Sequence, residues 1–212
     1  MSKINIIVLL LVFFQSTQAF SEVKENEMEA SVSPQTVVPE VSGFNLVVSA
    51  GLTSGGETLA KTTDGGSLKA GGLFLMSAGG IYSFENSKFQ LQGTFGYHFD
   101  ELSADNGTAD FSRTSIEIIP FYRLSNKFRV GFGYVRAMSV KYSDPFDSIN
   151  FDDANGYVLE MDWKLRGNSW WGVRYVDIEY LASSINGFDL SGISGIKPVD
   201  GSYFGMLFHL AF

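Results

Sequence analysis

The sequence predicts an all-β fold, an eight-stranded antiparallel up-and-down transmembrane β-barrel, on three observations. From Gly43 onward, large apolar residues alternate with small or polar ones, the period of a strand with two unlike faces rather than of a helix. The connections between these runs are by turns short and long, as in barrels whose turns lie on one side of a bilayer and whose loops lie on the other. The alternation also runs into the last residue. In GMLFHLAF, Met206, Phe208, Leu210 and Phe212 share one face, and Leu207, His209 and Ala211 share the other. Terminal residues with nothing packed on them fray, so an aromatic end with no polar tail calls for something to cover it.

Before the alternation begins, the chain reads differently. MSKINIIVLLLVFFQSTQA carries Lys3, an apolar run from Ile6 to Phe14, and small residues at Thr17 and Ala19. This is the pattern of a secretory signal peptide over 1–19, cleaved after Ala19. The run is too short to span a hydrocarbon layer of about 30 Å, and no other segment has the roughly 18 apolar residues that a spanning helix needs. Residues 20–42, SEVKENEMEASVSPQTVVPEVS after Phe20, are acidic with few large apolar side chains, and read as a disordered lead-in. The barrel is expected over 43–212, with the N-terminus in the periplasm and the barrel in the outer membrane of a Gram-negative-type envelope.

Composition narrows the function classes. The 212 residues are 45% hydrophobic and 15% aromatic, with 23 Gly, 5 Pro and no Cys. The missing cysteine excludes disulfides, thiolate metal sites, a cysteine nucleophile and a lipid-modified N-terminal cysteine. A formal net charge of −8 disfavours nucleic acid, which selects a basic face.

Taken in order, the runs predict strands at 44–54, 68–84, 88–100, 112–122, 127–140, 156–166, 169–180 and 201–212. In KFQLQGTFGYHFD, Phe89, Leu91, Phe95, Tyr97 and Phe99 alternate with Lys88, Gln90, Gln92, Thr94, His98 and Asp100. FRVGFGY sets Phe128, Val130, Phe132 and Tyr134 against Arg129, Gly131 and Gly133. YVLEMDWKL sets Tyr157, Leu159, Met161, Trp163 and Leu165 against Glu160, Asp162 and Lys164. The short connections are ENS at 85–87, RLSN at 123–126 and RGN at 166–168, and the long ones fall near 55–67, 101–111, 141–155 and 181–200. Pro120 lacks the N–H that an edgeless ladder uses, so a bulge or the periplasmic margin is expected there.

A lipocalin-like barrel or a β-sandwich also alternates, but both turn the oily face inward. Here the second face holds Gly, Ser, Gln and charges, too small and polar to coat an exterior and suited to fill a narrow lumen. Aromatics crowd both strand ends. Phe44, Phe84, Phe89, Tyr122, Phe128, Trp163, Trp171 and Phe212 lie beside short turns or chain ends, and Tyr97, Tyr134, Tyr157, Tyr175 and Tyr203 lie towards the long loops. Amphipathic rings favour the headgroup level, which predicts two girdles.

At its end the chain resembles the small outer-membrane β-barrel family, the group of the OmpA membrane domain, OmpX and OmpW. That family's assembly signal has a polar residue, a glycine, alternating apolar residues and a final aromatic, and Tyr203, Gly205, Phe208, Leu210 and Phe212 are similar to it. WGVRYVDIEY at 171–180 is similar to a strand common in such barrels. The resemblance implies passage through periplasmic chaperones and barrel-assembly machinery, contact with outer-membrane lipid and lipopolysaccharide, and a monomeric barrel. It says little about activity.

Chemistry is left to the lumen and the loops. An eight-stranded barrel is just wide enough to be filled by its own side chains. The wet face supplies a candidate ion-pair network of Arg113, Glu117, Arg129, Glu160, Asp162, Lys164 and Arg174. If RGN closes its hairpin with Trp163 facing Trp171, Glu160 stands across from Arg174. A plug of ion pairs, and so a structural or surface-interaction protein without catalysis, cofactor or metal, is the main reading. OmpW-like passage of small hydrophobic solutes, with a conducting lumen, is the alternative. Lipid A-modifying enzymes also use small barrels and need a base beside a nucleophile; His98 with Asp100 or Ser103 is the dyad on offer, while His209 falls at the other end. The carboxylates of DELSADNGTAD and SDPFDSINFDDANG could gather Ca²⁺ or bridge to lipopolysaccharide, although solvated charged loops read the same way.

Overall fold

The computed structural model describes residues 42–212 apart from Asp64 and Asn106. The expected signal peptide and all but the last residue of the acidic lead-in lie outside the described residues. Eight long strands form the wall: β1 (Gly43–Gly55), β2 (Phe74–Ser83), β3 (Phe89–Ala104), β4 (Gly107–Ser125), β5 (Phe128–Ser143), β6 (Ala154–Lys164), β7 (Ser169–Tyr180) and β8 (Tyr203–Ala211). Each pairs antiparallel with its neighbours in sequence. The ring closes where β1 meets β8, from Val47 opposite Ala211 to Gly55 opposite Tyr203. Closure removes the unpaired edge that an open sheet exposes. Among the described residues no helix is long and apolar enough to cross a membrane.

Phe212 completes that seam. Its N–H donates to the Leu46 carbonyl at 2.9 Å, and its own carbonyl accepts from the Leu46 N–H at 3.1 Å. The last backbone unit is thus hydrogen-bonded, while the ring stays 63% exposed on the outer wall.

The two faces are distributed inside out relative to a soluble barrel. Phe89, Leu91, Phe95 and Tyr97 of β3 point outward and are exposed, while Gln90, Gln92, Thr94 and His98 between them are buried. The same holds for Phe132, Tyr157, Leu159, Phe204, Met206 and Phe208 outside against Arg129, Glu160, Asp162, Gly205, Leu207 and His209 inside. Rings join into chains at one level, Phe89 with Tyr122 at 5.1 Å, Phe128 with Trp163 at 5.1 Å and Trp163 with Trp171 at 5.4 Å between centroids. At the other level Phe132 stacks on Tyr157 and Tyr175 meets Phe204.

Several expectations need correction. Tyr203 belongs to no girdle: it is 3% exposed and faces the lumen, because β8 starts one residue out of phase with the outward tyrosines. The run 68–84 is not one strand. Ser67–Lys69 pairs with Thr58–Lys61 inside the first loop, and the chain turns at Gly71 and Gly72, the latter at φ +73°, before β2 begins. The region 101–111 is not a loop. β3 and β4 stay paired from Glu101 opposite Asp110 to Ala104 opposite Gly107, because Ala109 and Phe111 have a core to enter. Pro120 sits near the short-turn end of β4 with no bulge: it faces Leu91, and the register of β4 with both neighbours is the same on either side of it.

The long strands explain the outer half. A tilted strand crosses a bilayer in about 9 to 11 residues, whereas β3, β4 and β5 have 16, 19 and 16. Their surplus projects past the girdle and carries a soluble-style core. Leu68 and Ala70 of the first loop pack with Phe111, Val140, Tyr142, Phe151 and Tyr180. Loop strands Ser148–Phe151 and Ala182–Ile185 extend the wall from β5. The filling expected to be ionic is therefore ionic below and apolar above.

Candidate functional site

The lumen network is built from alternate positions of β4, β5, β6 and β7, which the two-residue period turns inward together. Gly167, at φ +60°, allows the tight turn between β6 and β7, and the register that follows sets Trp171 opposite Trp163 and Arg174 opposite Glu160. Arg174 Nε donates to Glu160 Oε2 at 2.7 Å, its Nη2 donates to the same oxygen, and its Nη1 donates to Glu117 Oε1 at 3.0 Å. One guanidinium thus ties β4, β6 and β7 together across the lumen.

A second node lies one layer nearer the chain ends. Arg129 Nε donates to Asp162 Oδ2 at 2.7 Å, and its two terminal nitrogens donate to Gln90 and Gln92 Oε1, each at 3.2 Å. The ring centroids of Phe121 and Trp170 lie 4.0 and 4.8 Å from the guanidinium carbon. The cation is held by hydrogen bonds from its nitrogens and by the faces of two aromatic rings. That arrangement suits a planar guanidinium and not an ammonium.

Not every candidate joins this cluster. Arg113 stands apart near the loops, donating to the carbonyls of Ala70 and Gly71 at 2.8 and 3.1 Å and to His98 Nδ1 at 2.5 Å. It clamps the first-loop turn into the barrel mouth. Lys164 is at the opposite rim, half-buried over the Trp170 ring at 5.3 Å. Glu117, Arg129, Glu160, Asp162 and Arg174 form the buried ionic core.

The His98 dyad is not assembled. An arginine only donates, so His98 Nδ1 is the acceptor and Nε2 carries the proton. Nε2 lies 2.6 Å from Thr53 Oγ1, which passes its own proton to the Gly72 carbonyl at 2.9 Å. Both ring nitrogens are thus committed to structural partners. Ser103 bonds to Glu101 and Thr108 instead, each at 3.4 Å.

The acidic loops are used locally. Asp144 accepts from the Tyr142 hydroxyl at 2.6 Å and from the amides of Phe146 and Asp147 at 2.8 and 2.7 Å. Those donors, the hydroxyl foremost, hold its carboxyl below the usual range. Asp189 accepts from the Ser191 hydroxyl and amide, with the same result. Asp153 pairs with Arg136 at 2.9 Å. Among the described residues no group of loop carboxylates converges as cation ligands would; the one convergent set is Glu160, Asp162 and His209 in the lumen.

Sequence reading did not connect His209 with this core. It sits opposite Trp170 on β8, and its Nε2 reaches 3.4 Å from Glu160 Oε1 and 3.7 Å from Asp162 Oδ1. The signal was Gly172 on the intervening strand, opposite both Asp162 and Leu207: a lumen-facing glycine lets side chains of β6 and β8 meet across β7.

No protein-family model matches the chain, and no curated protein matches it. Solved structures do. Ail, the attachment invasion locus protein of Yersinia pestis, in complex with the heparin analogue sucrose octasulfate, aligns over 81% of this chain and 99% of its own, at 13% identity and a TM-score of 0.50. A second Ail structure from Y. pestis aligns over the same shares at 13% identity and 0.44. OmpT of Vibrio cholerae aligns over 79% of this chain and 52% of its own, at 16% identity and 0.32. The first of these likenesses supports the fold. The chain has the fold of an eight-stranded antiparallel up-and-down barrel.

Proposed function

We propose that this chain is an outer-membrane barrel, monomeric, with its N-terminus in the periplasm, whose role is structural or at the surface and not catalytic. The observation that carries the reading is the combination of an apolar, aromatic-girdled outer wall with a lumen closed by the Arg174–Glu160–Glu117 and Arg129–Asp162 nodes. A wall carrying Phe44, Phe95, Phe132, Phe204 and Met206 at more than half their full exposure would be an aggregation liability in water. In hydrocarbon it is satisfied. Lipid and lipopolysaccharide are its immediate partners, and the terminal motif ending at Phe212 is the surface offered to barrel-assembly machinery and periplasmic chaperones.

Surface interaction falls to the elongated β3–β4 hairpin and the β structure of the third and fourth loops. The Ail crystal held sucrose octasulfate, but the loops here carry Glu101, Asp105, Asp110, Asp147 and Asp152, which repel a polyanion. A cationic or neutral partner fits them better.

Passage of small hydrophobic solutes is the second reading. An open cavity at the fourth loop, where Leu181, Leu190, Ile193 and Ile196 line it alongside Asp152, Ser183 and Ser191, is the feature that favours it. Tyr180, Phe151 and Phe111 fill the barrel mouth, which favours the closed reading. Fractionation of expressing cells tests the location. The mature chain is expected in outer membranes, running faster on gels unheated than boiled; recovery in the soluble periplasm overturns the proposal.

A further inference from the structure

The ionic core leaves one point unsatisfied. Glu160 Oε1, Asp162 Oδ1 and His209 Nε2 are all buried and have no hydrogen-bond partner, and they lie within 4.8 Å of one another. The other atom of each group is firmly held. Glu160 Oε2 receives Arg174, Asp162 Oδ2 receives Arg129, and His209 Nδ1 lies 2.7 Å from Ser49 Oγ. When Ser49 accepts from Nδ1–H, Nε2 keeps a lone pair and lies 3.4 and 3.7 Å from the two free carboxylate oxygens. Outer partners that fix tautomer and carboxylate orientation in this way are what bound metal ions require.

Two simpler occupants fit less well. A proton on His209 would draw Nε2 to a carboxylate at about 2.7 to 2.9 Å, the length of a charge-assisted bond, and the observed separations are 3.4 and 3.7 Å. Leaving the point empty strands three buried polar atoms that have lost their hydration and gained no partner. A tetrahedral ion with bonds of about 2.0 to 2.1 Å sets its ligand atoms about 3.4 Å apart, close to the 3.4 and 3.7 Å that separate His209 Nε2 from the two carboxylate oxygens. Charge argues the same way: Glu117, Glu160 and Asp162 face Arg129 and Arg174, one negative charge in excess.

The space for an ion comes from β7. A Cβ on Gly172 would collide with Asp162 Oδ1 and lie 3.0 Å from His209 Nε2, so the glycine keeps the point open. We propose that Glu160, Asp162 and His209 form a binding site for one divalent cation of the zinc class, held in the pocket that Gly172 leaves open. Histidine with carboxylates, and no thiolate, suits zinc and its first-row neighbours rather than calcium or magnesium. Such an ion stitches β6 to β8 beside the closing seam. The site depends on side-chain geometry alone and stands whether or not the barrel conducts.

The full chain refolded into detergent micelles with Zn²⁺ or Co²⁺ present, then dialysed against metal-free buffer, tests this. Wild type is expected to keep one ion per chain by elemental analysis, and the cobalt form to show the strong visible bands of a tetrahedral site. Gly172→Ala, which keeps all three ligands and fills the pocket, and His209→Gln are expected to weaken zinc affinity by about tenfold or more. Asp144→Asn in the third loop should change nothing. Wild type without bound zinc, or zinc retained equally by Gly172→Ala and His209→Gln, overturns the proposal. If either variant lacks the fast-migrating folded band, the wild-type cobalt spectrum decides alone: absence of tetrahedral bands overturns it.

Discussion

Arg174 faces Glu160 directly across the β6–β7 ladder and reaches Glu117 on β4 with its remaining terminal nitrogen. Removing one member of a buried charged set strands the others, at about 3 to 5 kcal/mol, whereas removing the set together costs far less. Arg174→Met, which leaves two carboxylates uncompensated, is expected to lower the unfolding free energy in lipid vesicles more than Glu160→Gln. The double variant should recover part of the loss. Strictly additive single effects in urea titrations would mean that the two residues are not energetically coupled.

Arg129 makes a subtler comparison. Arg129→Lys keeps the charge but gives up the bonds to Gln90 and Gln92 and the guanidinium's contacts with the Phe121 and Trp170 rings. Hydrogen bonds to charged groups are worth about 1.5 to 3 kcal/mol each, so a loss of about 2 to 4 kcal/mol is expected by the same urea measurement. A lysine variant as stable as wild type would show that charge alone sustains the node.

Phe212 and Leu207 separate assembly from stability. Phe212 presents its ring outward at the closing seam, and Leu207 packs inside. Phe212→Ala is expected to slow insertion by reconstituted assembly machinery with little change in final stability. Leu207→Ala should insert at the normal rate and unfold at lower urea. The reverse pattern would place the assembly signal on the inner face.

The third loop carries a pH dependence. Asp144 is held low by the Tyr142 hydroxyl and two amides. A carboxyl depressed in the folded state contributes fully above its unfolded pKa and loses that contribution as pH falls through the folded value. Protection of the Phe146 and Asp147 amides, measured as exchange relative to the intrinsic rate at each pH, should therefore be highest at neutral pH and fall below the ordinary aspartate range. Asp144→Asn should flatten the transition; an unchanged acid profile in that variant would rule out Asp144 as the titrating group.

How much of this is legible in sequence follows from what period two encodes. It separates faces, so Glu160, Asp162, Arg129 and Arg174 can be assigned to one lumen from FRVGFGY, YVLEMDWKL and WGVRYVDIEY, and a tight turn fixes the β6–β7 register. It says nothing of contacts across non-adjacent strands, so only the lumen-facing Gly172 hints that His209 meets Glu160 across β7. Nor does it mark where a strand leaves the membrane. Ala109 and Phe111 continue the alternation of β4 into a soluble core. Tyr203 resembles a girdle residue by type alone, although the alternation of GMLFHLAF already puts its position on the face of Leu207 and His209. Arg113 has the same residue type as the ionic core but finds the Ala70 and Gly71 carbonyls first, because the first loop folds inward.

Single-channel recording in planar bilayers decides whether the lumen of this membrane barrel is sealed by its own side chains. Reconstituted wild type is expected to be silent under applied voltage, and Arg174→Met to open ion-conducting events by breaking the node between β4, β6 and β7. Steady conductance from wild type, unchanged by that substitution, would contradict the account and move Glu117, Glu160 and Arg174 from a plug to the lining of a pore.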